Sequence, residues 1–134
     1  MDLRLHVTAA LRAADQAAAC GVVVIEPVSA RPIHEAGYPL NWPGMAKAVA
    51  PTALLRGLEV AVDLTPDSLE IQCDSELLVR QITGAAVPEE TALIEPIERA
   101  AMLLLRLDNW RIGTLSDSDA LRPGELAERA LREA

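Results

Sequence analysis

The segment Cys73-Asp74-Ser75-Glu76-Leu77-Leu78-Val79-Arg80-Gln81-Ile82-Thr83-Gly84 decides how this chain is read. Leading into it, Leu69, Ile71 and Cys73 alternate with Glu70, Gln72 and Asp74, the period of a half-buried strand. A helix follows at once over Ser75 to Thr83. Gly84 suits the position just past a helix end, where left-handed backbone is favoured. An acid is thereby set at the C-terminal edge of a strand, beside a helix N-terminus, where ligands of α/β proteins often bind. Asp74 can cap that helix by accepting backbone N–H bonds, with Ser75 as the competing cap.

Upstream, Leu3, Leu5 and Val7 alternate with Arg4, His6 and Thr8, a first strand. Residues 9–19 are Ala-rich, and Arg12 with Asp15 suggests an exposed turn. Cys20 to Glu26 reads as a strand buried on both faces. Pro27 to Pro32 is a turn, and Ile33 to Leu40 a third strand that completes a meander. Pro43-Gly44 marks a break. A helix from about Ala46 to Asp63 buries Leu54, Leu55, Leu58, Ala61 and Val62. Pro51 would cost about 3 kcal/mol in a helix interior, so it belongs to the first turn, where amides have no intrahelical partner.

Downstream, Pro88-Glu89-Glu90 opens a longer helix running to about Leu107. Leu93, Ile97, Ala100, Ala101 and Leu104 point inward, and Pro96 is a point of kinking. Trp110 to Leu115 is a fifth strand, expected to be central with Trp110 in the core. After the acidic loop Ser116 to Asp119 and Pro123-Gly124 comes a terminal helix, with Glu125–Arg129 and Glu128–Arg132 as i,i+4 pairs. The order β-β-β-α-β-α-α-β-α implies one α/β domain over residues 1–134: a five-stranded mixed sheet with helices on both faces.

Composition narrows the function classes. The chain has 134 residues, is 51% hydrophobic and contains no Phe. With only Trp42, Trp110 and Tyr38 as aromatics, the core is aliphatic, and stacking platforms for single-stranded nucleic acid are absent. A net charge of −8 works against phosphate binding, although acidity also serves solubility. Cys20 and Cys73 make no metal motif and read as buried reduced thiols. No apolar run approaches a membrane span and no signal-peptide core follows Met1, so a soluble cytoplasmic protein without a membrane partner is expected. His6 and His34 read as surface or hydrogen-bonded strand residues. No Gly-rich phosphate loop and no Gly-x-Ser-x-Gly is present.

The element order and three motifs resemble ribonuclease H of type 1 and the related reverse-transcriptase-like, ribonuclease H-like domains. The motifs are Asp74-Ser75-x-Leu77-Leu78-Val79-x-Gln81-Ile82-x-Gly84, Ala53-Leu54-Leu55-Arg56-Gly57-Leu58-Glu59-Val60-Ala61 and Leu126-Ala127-Glu128-Arg129-Ala130-Leu131. The resemblance implies a nuclease with four carboxylates around two Mg2+ ions. Magnesium takes oxygen ligands, and two neighbouring ions repel unless several carboxylates offset their charge. At the family's four acid positions this chain carries Thr8, Ala50, Asp74 and Gly124. Ala-rich sequence replaces the Gly-rich hairpin, and Asp117-Ser118-Asp119 replaces the basic, His-containing loop. Glu125 is the substitute nearest to the fourth position. Other acids lie too far off; Glu70, for one, is about 13 Å down the strand from Asp74.

The expectation is a domain that lacks two-metal hydrolysis and serves binding, scaffolding or oligomerisation. It needs no cofactor and takes a protein partner or a second copy rather than nucleic acid; Trp42 is expected to cap one end of the aliphatic core, with an exposed partner anchor as the alternative. The alternative is an active Mg- or Mn-dependent ribonuclease H cleaving RNA in RNA–DNA hybrids. Its shifted set would be Asp74, Glu125 and Asp117 or Asp119, with Asp74 as the metal ligand.

Overall fold

The first hairpin is longer than its apolar alternation suggests. In the computed structural model, which describes residues 1–41 and 45–133, β1 spans Asp2–Arg12 and β2 spans Ala17–Glu26. They pair antiparallel from Arg4↔Ile25 to Arg12↔Ala17. The Ala-rich stretch is therefore two strand ends and a turn. Gln16 takes left-handed backbone (φ 55°), and Arg12 grips both carboxylate oxygens of Asp15 at 2.8 Å. Alanine has little strand preference of its own. Here Ala10, Ala18 and Ala19 are buried, and Ala10 and Ala19 pack under the last helix.

β3 (Arg31–Pro39) pairs antiparallel with β2. A short 3-10 turn over Ala46–Ala48 leads into α1 (Val49–Asp63), and Pro51 lies in its first turn as expected. Trp42 and the Pro43-Gly44 break lie outside the described residues. β4 (Ser68–Cys73), α2 (Glu76–Thr83), α3 (Thr91–Leu104), β5 (Asn109–Thr114) and α4 (Asp117–Glu133) follow. The sheet order is β3-β2-β1-β4-β5, with β1, β4 and β5 mutually parallel. Among the described residues, no helix is long and apolar enough to cross a membrane.

Strand parity sorts the two faces. Leu3, Leu5 and Val7 share one face with Val22, Val24, Leu69, Ile71 and Cys73, and α1 and α3 cover it with Leu54, Leu58, Leu93, Ile97 and Leu104. His6, Thr8 and Ala10 point to the other face, where α4 lies over β2, β1 and β3. Two glycines bring α4 down onto the sheet. A Cβ on Gly21 would stand 1.7 Å from the Pro123 carbonyl oxygen, and one on Gly37 would stand 2.3 Å from that of Leu126. Cys20 and Cys73 are buried free thiols, and burial pushes Cys20 up to about 12.

Several expectations are corrected. α3 begins at Thr91 rather than Pro88 and ends at Leu104, and Ala101 faces solvent. β5 is an edge strand, so Trp110 is only half-buried. α4 begins at Asp117, not after Pro123-Gly124, because the Ser116 hydroxyl accepts the Asp119 N–H (3.2 Å) and caps it. Pro123 gives up one intrahelical bond inside α4, but its ring is fully buried. Glu125 pairs with Arg122 at 3.4 Å instead of with Arg129.

Candidate functional site

The corner between β4 and α2 is built by division of labour between two adjacent residues. Ser75 caps α2, its hydroxyl accepting the Leu78 N–H at 3.1 Å, and Gly84 closes the helix in left-handed backbone (φ 85°). Asp74 is thus not the cap. Its carboxylate reaches across to β1 and accepts the Ala9 N–H at 3.2 Å. The β1–β4 register runs to Val7↔Cys73, so Asp74 stands next to Thr8 one step beyond. Asp74 keeps a side open to solvent, yet the surrounding protein raises its pKa by desolvation, partly offset by the Ala9 N–H.

Below Asp74 on the same face lies a file of polar side chains, buried at His6 and Thr8 and half-buried at Gln72. His6 and Gln72 are register partners, and Thr8 is two residues beyond His6. His6 is 4% exposed and Thr8 5%. The His6 Nε2, the Thr8 Oγ1 and the Gln72 Oε1 have no hydrogen-bond partner among the described residues. His6 is thus buried, against the expectation of a surface or bonded strand residue; His34 does make a bond, 2.7 Å from its Nε2 to the Tyr38 hydroxyl. Burial lowers the His6 pKa, against upward pulls from Asp119 and the Gln72 side chain.

A stability consequence follows for His6. The unfolded imidazole takes up a proton near pH 6.5 while the folded one stays neutral, so unfolding is favoured as pH falls below about 6.5. The expected slope reaches up to about 1.4 kcal/mol per pH unit until the folded ring also protonates. Thermal midpoints between pH 5 and 7.5 should show this loss, and His6→Gln should flatten it.

The remaining site residues do not join Asp74. Ala50 lies in the first turn of α1 and brings no donor. Gly124 lies within α4, and a Cβ there would meet nothing within 4 Å. Glu125 is largely exposed and held by Arg122, which also contacts Glu35 at 3.3 Å. Asp117 and Asp119 occupy the first turn of α4, where the helix dipole favours acids. Among the described residues, no group of three or more His, Cys, Asp or Glu side chains is placed to hold a metal ion. A pair of Mg2+ ions calls for several converging carboxylates, and Asp74 alone, already engaged by a backbone N–H, does not fit that requirement.

The comparisons with known proteins agree with this fold. A family model described as reverse transcriptase-like matches residues 6–113.

The chain belongs to the reverse transcriptase-like family.

Ribonuclease HI of Halobacterium salinarum is 35% identical to this reverse transcriptase-like chain over 82 residues, which is 61% of the chain and 41% of that protein. The matched segment is thus less than half the length of that relative. The crystal structure of RNase H1 from the same archaeon superposes with a TM-score of 0.90 at 28% identity, covering 100% of both chains. LC11-RNase H1 in complex with an RNA/DNA hybrid gives a TM-score of 0.85 at 23% identity, over 98% of this chain and 97% of that one. The ribonuclease H fold expected from the sequence is the fold of this chain.

Two features of the site lay beyond sequence reasoning. The Ala9 amide that holds Asp74 is a backbone group with no residue signature. The polar file was half visible, since His6, Thr8, Gln72 and Asp74 share strand parity, but the burial of His6 and Thr8 depends on where α4 packs. Because desolvation raises the Asp74 pKa, its charge opposes folding at neutral pH, and stability contributed by the protonated form is lost as pH rises through the folded value. Asp74→Asn keeps an acceptor oxygen for Ala9 without the charge. It is expected to leave stability at pH 7 unchanged or raise it by up to about 1 kcal/mol, as measured by urea denaturation.

Proposed function

We propose that this chain is a ribonuclease H-like domain that does not carry out two-metal hydrolysis and works as a binding, scaffold or self-association module. The observation that carries the proposal is the isolation of Asp74. Its carboxylate is engaged by Ala9, while the corresponding acid positions hold Thr8, Ala50 and Gly124. A lone carboxylate binds hydrated Mg2+ weakly and cannot offset the repulsion between two ions. The net charge of −8 also opposes a polyanionic partner. Calorimetric titration of the full chain with Mg2+ and then Mn2+ is expected to give millimolar affinity or no heat. Two micromolar sites would overturn the proposal.

The second reading is an active Mg- or Mn-dependent ribonuclease H. It is favoured by the likeness to RNase H1 proteins, one of them held in complex with an RNA/DNA hybrid. It requires Asp74, Glu125 and Asp117 or Asp119 to converge. The Arg122 contact to Glu125 and the place of Asp119 in a helix first turn weigh against that. Under the preferred reading, hybrid binding at physiological salt is not measurable; a micromolar, salt-dependent dissociation constant supports the second reading instead.

A further inference from the structure

α3 carries two apolar stripes, and the fold uses one. Leu93, Ile97, Ala100 and Leu104 are buried against the core. On the solvent side stand Ile94, Ala101, Met102 and Leu105, spaced i, i+7, i+8 and i+11, the repeat of a single helix face. Leu105, at the C-cap, is 85% exposed, Met102 68% and Ile94 37%. Single exposed apolar residues need no explanation, whereas Ala101, Met102 and Leu105 cluster on this face, with Glu98 between them and Ile94, and such a cluster marks an interaction surface. Beside it, Met102, Leu103, Arg99 and Arg106 join Leu55 and Glu59 of α1 around a shallow cavity of about 210 Å³.

The charges along this face are segregated. Glu95 and Glu98 precede Arg99 and Arg106 along it. None of the four forms an ion pair with another described residue. Packing the helix against a parallel copy would oppose like charges. Packing it against an antiparallel copy brings acid to base at both ends of the seam. The arrangement is self-complementary, as a two-fold interface demands. Charge patterns flanking an apolar helical seam set orientation and partner choice in the same way.

We infer that this outer face of α3 is a self-association surface, on which α3 of a second copy packs antiparallel about a two-fold axis. Ile94 then meets the region of Leu105 of the second copy, and Glu95 and Glu98 face its Arg106 and Arg99. Glu59 of α1, beside Arg99 and Arg106, relieves the approach of the two Arg99 side chains near the axis. The inference deepens the proposed role as a self-association module and fixes where that association occurs.

The test is sedimentation velocity of the full chain from micromolar to sub-millimolar concentration at low and high salt. A concentration-dependent dimer is expected. Met102→Glu with Leu105→Glu abolishes it, while circular dichroism stays unchanged because both positions are exposed. Glu95→Arg alone and Arg106→Glu alone each weaken it about tenfold or more, equivalent to about 1.4 kcal/mol, and the two together restore it. A wild-type chain that stays monomeric throughout overturns the inference. So does a Met102→Glu, Leu105→Glu double variant that dimerises like wild type, or a charge exchange that fails to restore association. A monomer that cleaves no hybrid would sink only this surface, and a dimer that cleaves would sink only the non-hydrolytic proposal.

Discussion

Gly21→Ala is expected to destabilise the protein by about 3 kcal/mol or more, at the upper end of the overpacking range. The added methyl would lie 1.7 Å from the Pro123 carbonyl oxygen, 2.6 Å from its carbon and 3.0 Å from the Ala127 nitrogen. All three are backbone atoms, so no rotamer change relieves the clash. α4 must lift off β2 and withdraw Leu126, Ala127 and Leu131, all buried. Gly37→Ala meets the Leu126 carbonyl oxygen at 2.3 Å and should behave similarly. Gly124→Ala supplies the contrast. It lies in the same helix with nothing within 4 Å, and alanine is favoured over glycine in a helix interior by about 1 kcal/mol. Urea denaturation should therefore give opposite signs for Gly21→Ala and Gly124→Ala. A loss below about 0.5 kcal/mol for Gly21→Ala would contradict the packing of α4 against β2.

Thr8→Asp should produce the second large effect, a loss of about 2–4 kcal/mol at pH 7. Thr8 is nearly fully buried beside Asp74, whose pKa is already raised by desolvation. A second carboxylate there meets both desolvation and like-charge repulsion. Its folded pKa must rise above the unfolded value near 3.9, so the penalty shrinks as pH falls and protonation removes the charge. Adding Ala50→Glu and Gly124→Asp supplies the other missing donors. In that triple variant Mg2+ should raise the thermal midpoint by mass action, whereas wild type should show no Mg2+ dependence. A Thr8→Asp protein as stable as wild type at pH 7 without metal would show that the corner is better solvated than its geometry implies.

Much of the architecture could be read from local rules. The alternation over Leu69 to Asp74 and the helix closed by Gly84 gave β4 and α2 nearly to the residue. Pro51 marked the first turn of α1 because only there does a missing amide hydrogen cost little. The misreadings arose where tertiary contacts outweigh local preference. The Ala-rich hairpin has no strand signal of its own and is held by pairing and by α4 above it. Pro123 and Gly124 looked like a helix boundary, but α4 runs through them because the Pro123 ring is buried and its backbone needs the space left by Gly21. Trp110 was placed in a central strand because strand order in the sheet is a matter of topology, and β5 lies at the edge.

The candidate site was legible in its residues and not in its geometry. The positions Thr8, Ala50, Asp74 and Gly124 could be named only through the resemblance to ribonuclease H of type 1. That Ser75 takes the capping role, freeing Asp74 to bind the Ala9 amide, depends on side-chain direction at a corner where both residues suit the cap. His6 shows the same limit. Its strand parity was plain, but its burial follows from a helix more than a hundred residues later, whose Asp119 pulls on its charge.

We propose that Asp74 no longer belongs to a hydrolytic carboxylate set. The most direct test is incubation of the pure full chain with a labelled RNA–DNA hybrid and Mg2+ or Mn2+, with Asp74→Asn in parallel. No cleavage above background is expected from either protein. Cleavage by the wild type that disappears in Asp74→Asn would contradict it.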